Sequence, residues 1–257
     1  MTIGWVEVVA SLTLVGVAVG LSFWKGLGVE GSIVWAATRA AGQLLAVGLL
    51  FDLIFESAGS MIWAWVWVTG MLVISVETVG RRARKIPRVR IGALLSLGGA
   101  LAVSLTVVFG LGVFDLEPVT LVVIAGITLG NTMPSAVLGV DTAAKDFSDN
   151  PRKVEGLLAL GMTSSAAGRF LTQGAVRRAL VPQIERTKVV GLIALPGAMT
   201  GMLLAGADAI SAVMVQMVIM YLILGSVAIA VVVVVTVVAS QAFTPDARLR
   251  DWVTHRG

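Results

Sequence analysis

The polar residues set inside the long apolar runs of this chain are few, and their spacing limits the chemistry open to them. Arg39 and Gln43 stand four residues apart and so share one helical face. Glu77 closes an apolar run four residues before Arg81. Asn131 and Thr132 follow Gly130 and precede Pro134, and Gln216 lies in a very apolar stretch. Side chains of this kind at membrane depth are costly to place and mark substrate or ion paths. Two of them also admit quieter readings: Glu77 as a carboxylate held at the membrane surface by Arg81, and Asn131 as a hydrogen bond between helices. Five of the ten methionines, Met199, Met202, Met214, Met217 and Met220, fall within 22 residues. Thioether sulfur suits a soft ion such as Cu(I), and it equally fills irregular apolar packing. No catalytic set accompanies these residues. Cysteine is absent, and the single histidine, His255, lies at the end of the chain. There is no His metal cluster, no nucleophile–base pair and no phosphate-binding Gly-rich loop ending in Lys-Ser/Thr, so ATP cannot be held by a P-loop. The chain is not expected to be an enzyme or to carry an intrinsic cofactor, and its metal-contacting residues stay unassigned.

These residues must be positioned by membrane-spanning helices. Mean hydropathy is +0.95, with 57% hydrophobic and 13% charged residues, against roughly 25% charged in soluble domains. Seven apolar segments are long enough to approach the ~20 residues a spanning helix needs: 3–24, 33–55, 60–79, 91–113, 119–140, 189–206 and 211–243. The Lys and Arg residues fall in four places. Lys25 and Arg39 come first, then six between 81 and 90, eight between Lys145 and Lys188, and three in the tail. The alternate connections carry acids: Asp52 and Glu56, Asp115 and Glu117, and Asp208. Excess Lys and Arg in cytoplasmic loops predicts an outer N-terminus, seven spans and a cytoplasmic C-terminus. The expected architecture is therefore a single all-α, polytopic domain over 1–257. It has a basic cytoplasmic loop at 81–90 and a cytoplasmic region at 141–188. The acids form an outer rim suited to cations, which any positive-inside protein also shows.

Within 141–188, residues 155–179 read as short amphipathic helices, and Arg169, Arg177, Arg178 and Arg186 supply charge. These helices are suited either to docking a soluble motor or to lying on lipid. Pro196 and Gly197 interrupt 189–206, which reads as a kinked or broken span with a hinge. The 33-residue last segment exceeds the hydrocarbon core, so tilt or extension is expected. Small-residue pairs at Gly16/Gly20, Gly126/Gly130 and Gly197/Gly201 suit close helix approach.

Several stretches together resemble one family: Trp35–Leu45, Gly126–Asn131, Glu155–Thr163, Arg177–Pro182, Thr187–Gly201 with its Leu195-Pro-Gly-Ala-Met-Thr-Gly201 block, Ala205–Asp208 and Gln216–Met220. The chain is similar over about 30–225 to the Fet-type iron-export permeases, the membrane half of an ABC exporter, with plant aluminium-tolerance permeases as relatives. The resemblance implies a permease homodimer with two copies of a separate ATPase subunit that binds the ATP. It also implies export of iron or a metal-linked substrate across a bacterial inner membrane, with a chelate or nucleotide sugar as other cargoes. It raises the docking reading of Glu155–Arg178. Glu155 and Gly161 keep the six-residue offset of the Glu-Ala-Ala-x3-Gly loop of importer-type permeases, with Gly156 and Leu157 in place of the two alanines. The expected translocation path takes in Arg39, Gln43, Glu77, Asn131, Met199, Met202 and Gln216. Two other readings stay open: a secondary carrier or channel needing no ATP, with Glu77 as its coupling acid, and a non-transporting scaffold.

Overall fold

The computed structural model describes residues 4–55 and 59–254; Glu56 and His255 lie outside them, as does the side chain of Asp52. The described residues form ten helices and no extended strand. The chain divides into two compact units at Ser60/Met61.

The first unit is a helical hairpin of α1 (Trp5–Lys25) and α2 (Glu30–Phe55). Gly26 closes α1 in the left-handed region at φ 62°, and its amide and that of Leu27 cap the last turn through Phe23 and Ser22. The Ser22 hydroxyl donates to the Glu30 carboxylate at 2.7 Å, tying the two helices at the turn. Most side chains of this hairpin are exposed, Trp35, Leu44 and Leu49 among them. In water such a surface would aggregate; in lipid it is the expected outer face of a spanning helix.

The second unit holds α3 (Ser60–Arg82), α4 (Val89–Gly110), α5 (Pro118–Asp149), α6 (Pro151–Ala159), α7 (Ser164–Lys188), α8 (Gly197–Leu204), α9 (Ala209–Gln241) and the short α10 (Asp251–Thr254). α9 is the central element. Gly92 on α4 lies so close that a Cβ there would meet Val237 Cγ1 at 2.6 Å, and the Ser96 hydroxyl donates to the Ala230 carbonyl at 2.7 Å. These pairs make α4 antiparallel to α9. A Cβ on Gly139 would meet Val235 at 3.1 Å, and Phe147 meets Phe243, so α5 runs parallel to α9. Gly168 against Phe243 and Ala239, with Ala179 and Val235 both beside Gly139, sets α7 antiparallel to it. One end of this unit thus gathers the 81–90 loop, the C-terminal ends of α5 and α9, α6 and the start of α7. The other end gathers Asp115, Glu117 and Asp208.

Six helices, α1 to α5 and α9, are long and apolar enough to cross a membrane. The protein is a polytopic helical membrane protein, but the seventh apolar segment, 189–206, is not a span. It opens with a turn in which the amide of Gly191, at φ 86°, donates to the Ala194 carbonyl at 3.0 Å. Pro196 then starts α8, only eight residues long. Between α5 and α9 the chain runs back along both through α7, which is not among the six. α5 and α9 are 32 and 33 residues long, about 48 and 50 Å against a hydrocarbon core of about 30 Å. Their C-terminal turns are held by a compact apolar cluster. Phe147, Val154, Ala167, Leu171, Ala242, Phe243 and Val253 are buried there, with Trp252 packed against them. The tail folds back through Arg250 N–H to the Ala242 carbonyl, 2.9 Å, and Trp252 Nε1–H to the Gln241 carbonyl, 3.0 Å.

Candidate functional site

Asn131 and Arg186 bring two helices together at a depth where apolar residues prevail. Asn131 lies thirteen residues into α5, about 20 Å along it, with apolar residues dominating on both sides. Its amide nitrogen donates to the Ile127 carbonyl of its own helix at 2.7 Å, which turns the amide oxygen toward α7. Arg186 Nη1 donates to that oxygen at 3.3 Å. One turn below, Gln183 is buried, and it bonds Thr187 at 3.3 Å. Pro134 and Pro182, inside α5 and α7, each free a carbonyl one turn earlier, at Gly130 and Arg178. The two helices also meet at Asp146, whose carboxylate accepts from Arg178 at 2.6 and 2.7 Å. The ladder Asp146–Arg178, Gly139–Ala179, Asn131–Arg186 shows α7 climbing antiparallel along α5. Residues 141–188, expected as one cytoplasmic region, thus extend along α5 rather than gathering at one end of it. Arg186 and Lys188 rise beside the apolar part of α5, and Lys188 pairs with Glu185 at 2.8 Å.

Among the described residues, two further buried polar atoms have no hydrogen-bond partner. Gln216 on α9 is buried with Oε1 unbonded, and Thr128 on α5 is buried with an unbonded hydroxyl. Buried polar groups are nearly always hydrogen-bonded, so each marks a place where a water or ligand is expected.

The structure treats the other path candidates differently. Arg39 and Gln43 are exposed on α2 in the first unit. Glu77 is held by two guanidinium groups, Arg81 at 3.0 Å and Arg90 at 3.0 Å, at the basic end of α3. The surface-carboxylate reading is thus the one its geometry fits. Met199 and Met202 are half-buried on α8, three residues apart. Met214 and Met217 are exposed and Met220 is buried, so the methionines do not share one environment. Among the described residues no group of three His, Asp or Glu is placed to hold a metal ion. Pro196 sits at the N-cap of α8 and Gly197 at its first turn. Asp208 caps α9: its carboxylate accepts from the Ser211 amide at 3.0 Å and hydroxyl at 3.2 Å. These bonds, the amide's first, hold the Asp208 carboxyl below the usual range.

At the basic end, α6 and the turn to α7 carry the coupling candidates. Glu155 is exposed on α6, and Val154 anchors that helix by its buried side chain. Gly161 takes φ 86° in the turn, a conformation glycine suits. Leu160 beside it is 84% exposed, an isolated apolar contact at a polar end. The Thr163 hydroxyl accepts from the Ala166 amide and starts α7. Arg177 is exposed on α7. Arg169 and Arg250 border a cavity of about 760 Å³ between α7 and α9, floored by Val235 and Phe243.

A family profile described as "Uncharacterised protein family (UPF0014)" matches residues 5–243. The chain belongs to the UPF0014 family. It is 33% identical to the UPF0014 membrane protein STAR2 of Oryza sativa over 98% of this chain and 88% of that one. It is 34% identical to the protein ALUMINUM SENSITIVE 3 of Arabidopsis thaliana over 87% and 81%. The probable iron export permease protein FetB of Escherichia coli is 26% identical over 87% and 86%. No solved structure matches. UPF0014 chains are membrane proteins with a permease among them, and the α5–α7 polar contact and the α6–α7 turn lie inside the matched region.

The sequence reading missed Arg186 as a partner of Asn131. Both residues were visible, but only α7's antiparallel packing puts them together. The signal available was α7 itself, a 25-residue helix rich in cations yet studded with Ala and Gly, the small residues that close packing needs.

Proposed function

We propose that this chain is the membrane subunit of an ABC exporter that moves iron, or another metal, out of the cytoplasm. ATP is hydrolysed on a separate subunit that docks at the basic end. Two copies of each make the working complex, in a bacterial inner membrane, with the C-terminus cytoplasmic. The observation that carries this reading is the α6–α7 turn. It presents Glu155 on a short helix, and Leu160 and Gly161 just after it; Val154 pins that helix to the same apolar cluster that ends α5 and α9. Movement of a docked ATPase is thereby passed to two helices that run on into the bilayer. The similarity to FetB supports metal as cargo. A carrier coupled through Glu77 is disfavoured by its two guanidinium partners. On the exporter reading, Glu77→Gln keeps transport; on the carrier reading, it abolishes it.

Co-purification from mildly solubilised membranes tests the proposal. A stoichiometric ATPase is expected on the tagged chain and is expected to be lost from Leu160→Asp, with unchanged yield and melting temperature of the membrane chain. A folded, monodisperse chain with no ATPase bound refutes it.

A further inference from the structure

We infer that the cargo presented to the α5–α7 contact carries negative charge, and that Arg186 is its binding residue. The inference rests on the permease reading and names the class of substrate. Arg186 lies beside the apolar stretch of α5, where a charged side chain must face protein or a water-filled cavity. Its one hydrogen-bond partner among the described residues is the neutral amide of Asn131, 3.3 Å away. Between Pro118 and Val140, α5 contains no acid, and the neighbouring Glu185 is taken by Lys188 at 2.8 Å. Asn131 cannot neutralise the guanidinium. It can only aim it, because its own nitrogen is committed to Ile127. A guanidinium has five N–H donors in a planar fork matched to carboxylate and phosphate oxygens. One of these donors is used on Asn131, and the side chain is exposed rather than packed. A bare cation would be repelled here. An oxyanion would complete the site, so a metal would pass as an anionic chelate. The shared chemistry is carboxylate or phosphate, and it can come from a soluble cargo or from a lipid headgroup.

The full chain in phosphatidylcholine nanodiscs, titrated calorimetrically, separates these sources. Ferric citrate, an anionic complex, is expected to bind saturably, and ferrous ion alone is not. Arg186→Gln is expected to weaken ferric citrate at least tenfold. Arg186→Lys is expected to recover much of the loss, since it restores the charge. Asn131→Asp supplies an internal counter-ion and is expected to weaken binding as Arg186→Gln does, while keeping the α5–α7 contact and the melting temperature. Equal binding by wild type and both charge variants, or no binding of ferric citrate, overturns the inference. So does a binding signal that disappears when phosphatidylglycerol is included and in which that lipid is retained through Arg186, for then the oxyanion belongs to the bilayer. The assay contains no ATPase. A failure here leaves the exporter reading standing, and absence of a co-purified ATPase leaves this result standing.

Discussion

At Asp208 a single carboxylate starts the helix on which the second unit is built, and its bonds make a prediction about pH. Because the folded-state pKa lies below the ordinary value of 3.8, the cap contributes stability in full above that value. The contribution is lost as pH falls through the depressed one. Asp208→Ser keeps a capping oxygen but removes the titration. Wild type is therefore expected to lose melting temperature faster than Asp208→Ser as the buffer is taken below about pH 4; parallel curves would contradict the assignment. At the same scale, several readings of single residues were legible in sequence. Glu77 four residues before Arg81 announced an ion pair, and only the second partner, Arg90, needed the fold. Asn131 was visible as a polar residue at depth, but its partner lies 55 positions away in a segment that reads as surface.

Among the helices, close approach is made by glycines other than those whose spacing drew attention. A Cβ on Gly16, Gly20, Gly130, Gly197 or Gly201 would meet nothing within 4 Å, and Gly126 meets only the end of Met71. The tightest contact is Gly92 against Val237, with Gly80 against the Arg90 stem next. Spacing alone could not find it, because a single glycine suffices where the opposing side chain is β-branched. Gly92→Ala is expected to destabilise by about 1–3 kcal/mol through overpacking. Adding Val237→Ala is expected to restore most of the loss, a coupling read from thermal unfolding of the double-mutant cycle. Phe147 makes the complementary case. It is fully buried and meets Phe243 and Trp252 edge-on, with ring centres 5.9 and 6.2 Å away. Phe147→Ala is expected to cost about 3–5 kcal/mol and to free α6 and the tail to protease before the spans unfold. Apolar runs made α1 to α5 and α9 legible. α7 was hidden because its charges read as a surface helix, and 189–206 was over-read because hydropathy does not register a Gly191 turn or a Pro196 start.

For the whole molecule, charge asymmetry makes a topological statement that can be tested directly. The native chain has no cysteine, so single cysteines report without background. In whole cells a membrane-impermeant maleimide is expected to label Asp115→Cys. It is expected to label Arg84→Cys only after permeabilisation; the reverse pattern would invert the orientation. The order of synthesis carries a further consequence of α7. With Arg177, Arg178, Arg186 and Lys188 among 25 residues, this helix has no thermodynamic reason to leave the aqueous insertion channel for lipid when it emerges from the ribosome. Its packing surface is completed only by α9, made afterwards. Biogenesis is thus obliged to hold α7 back until the last long helix arrives, so a chain released before Ala209 would strand a cationic segment for quality-control proteases.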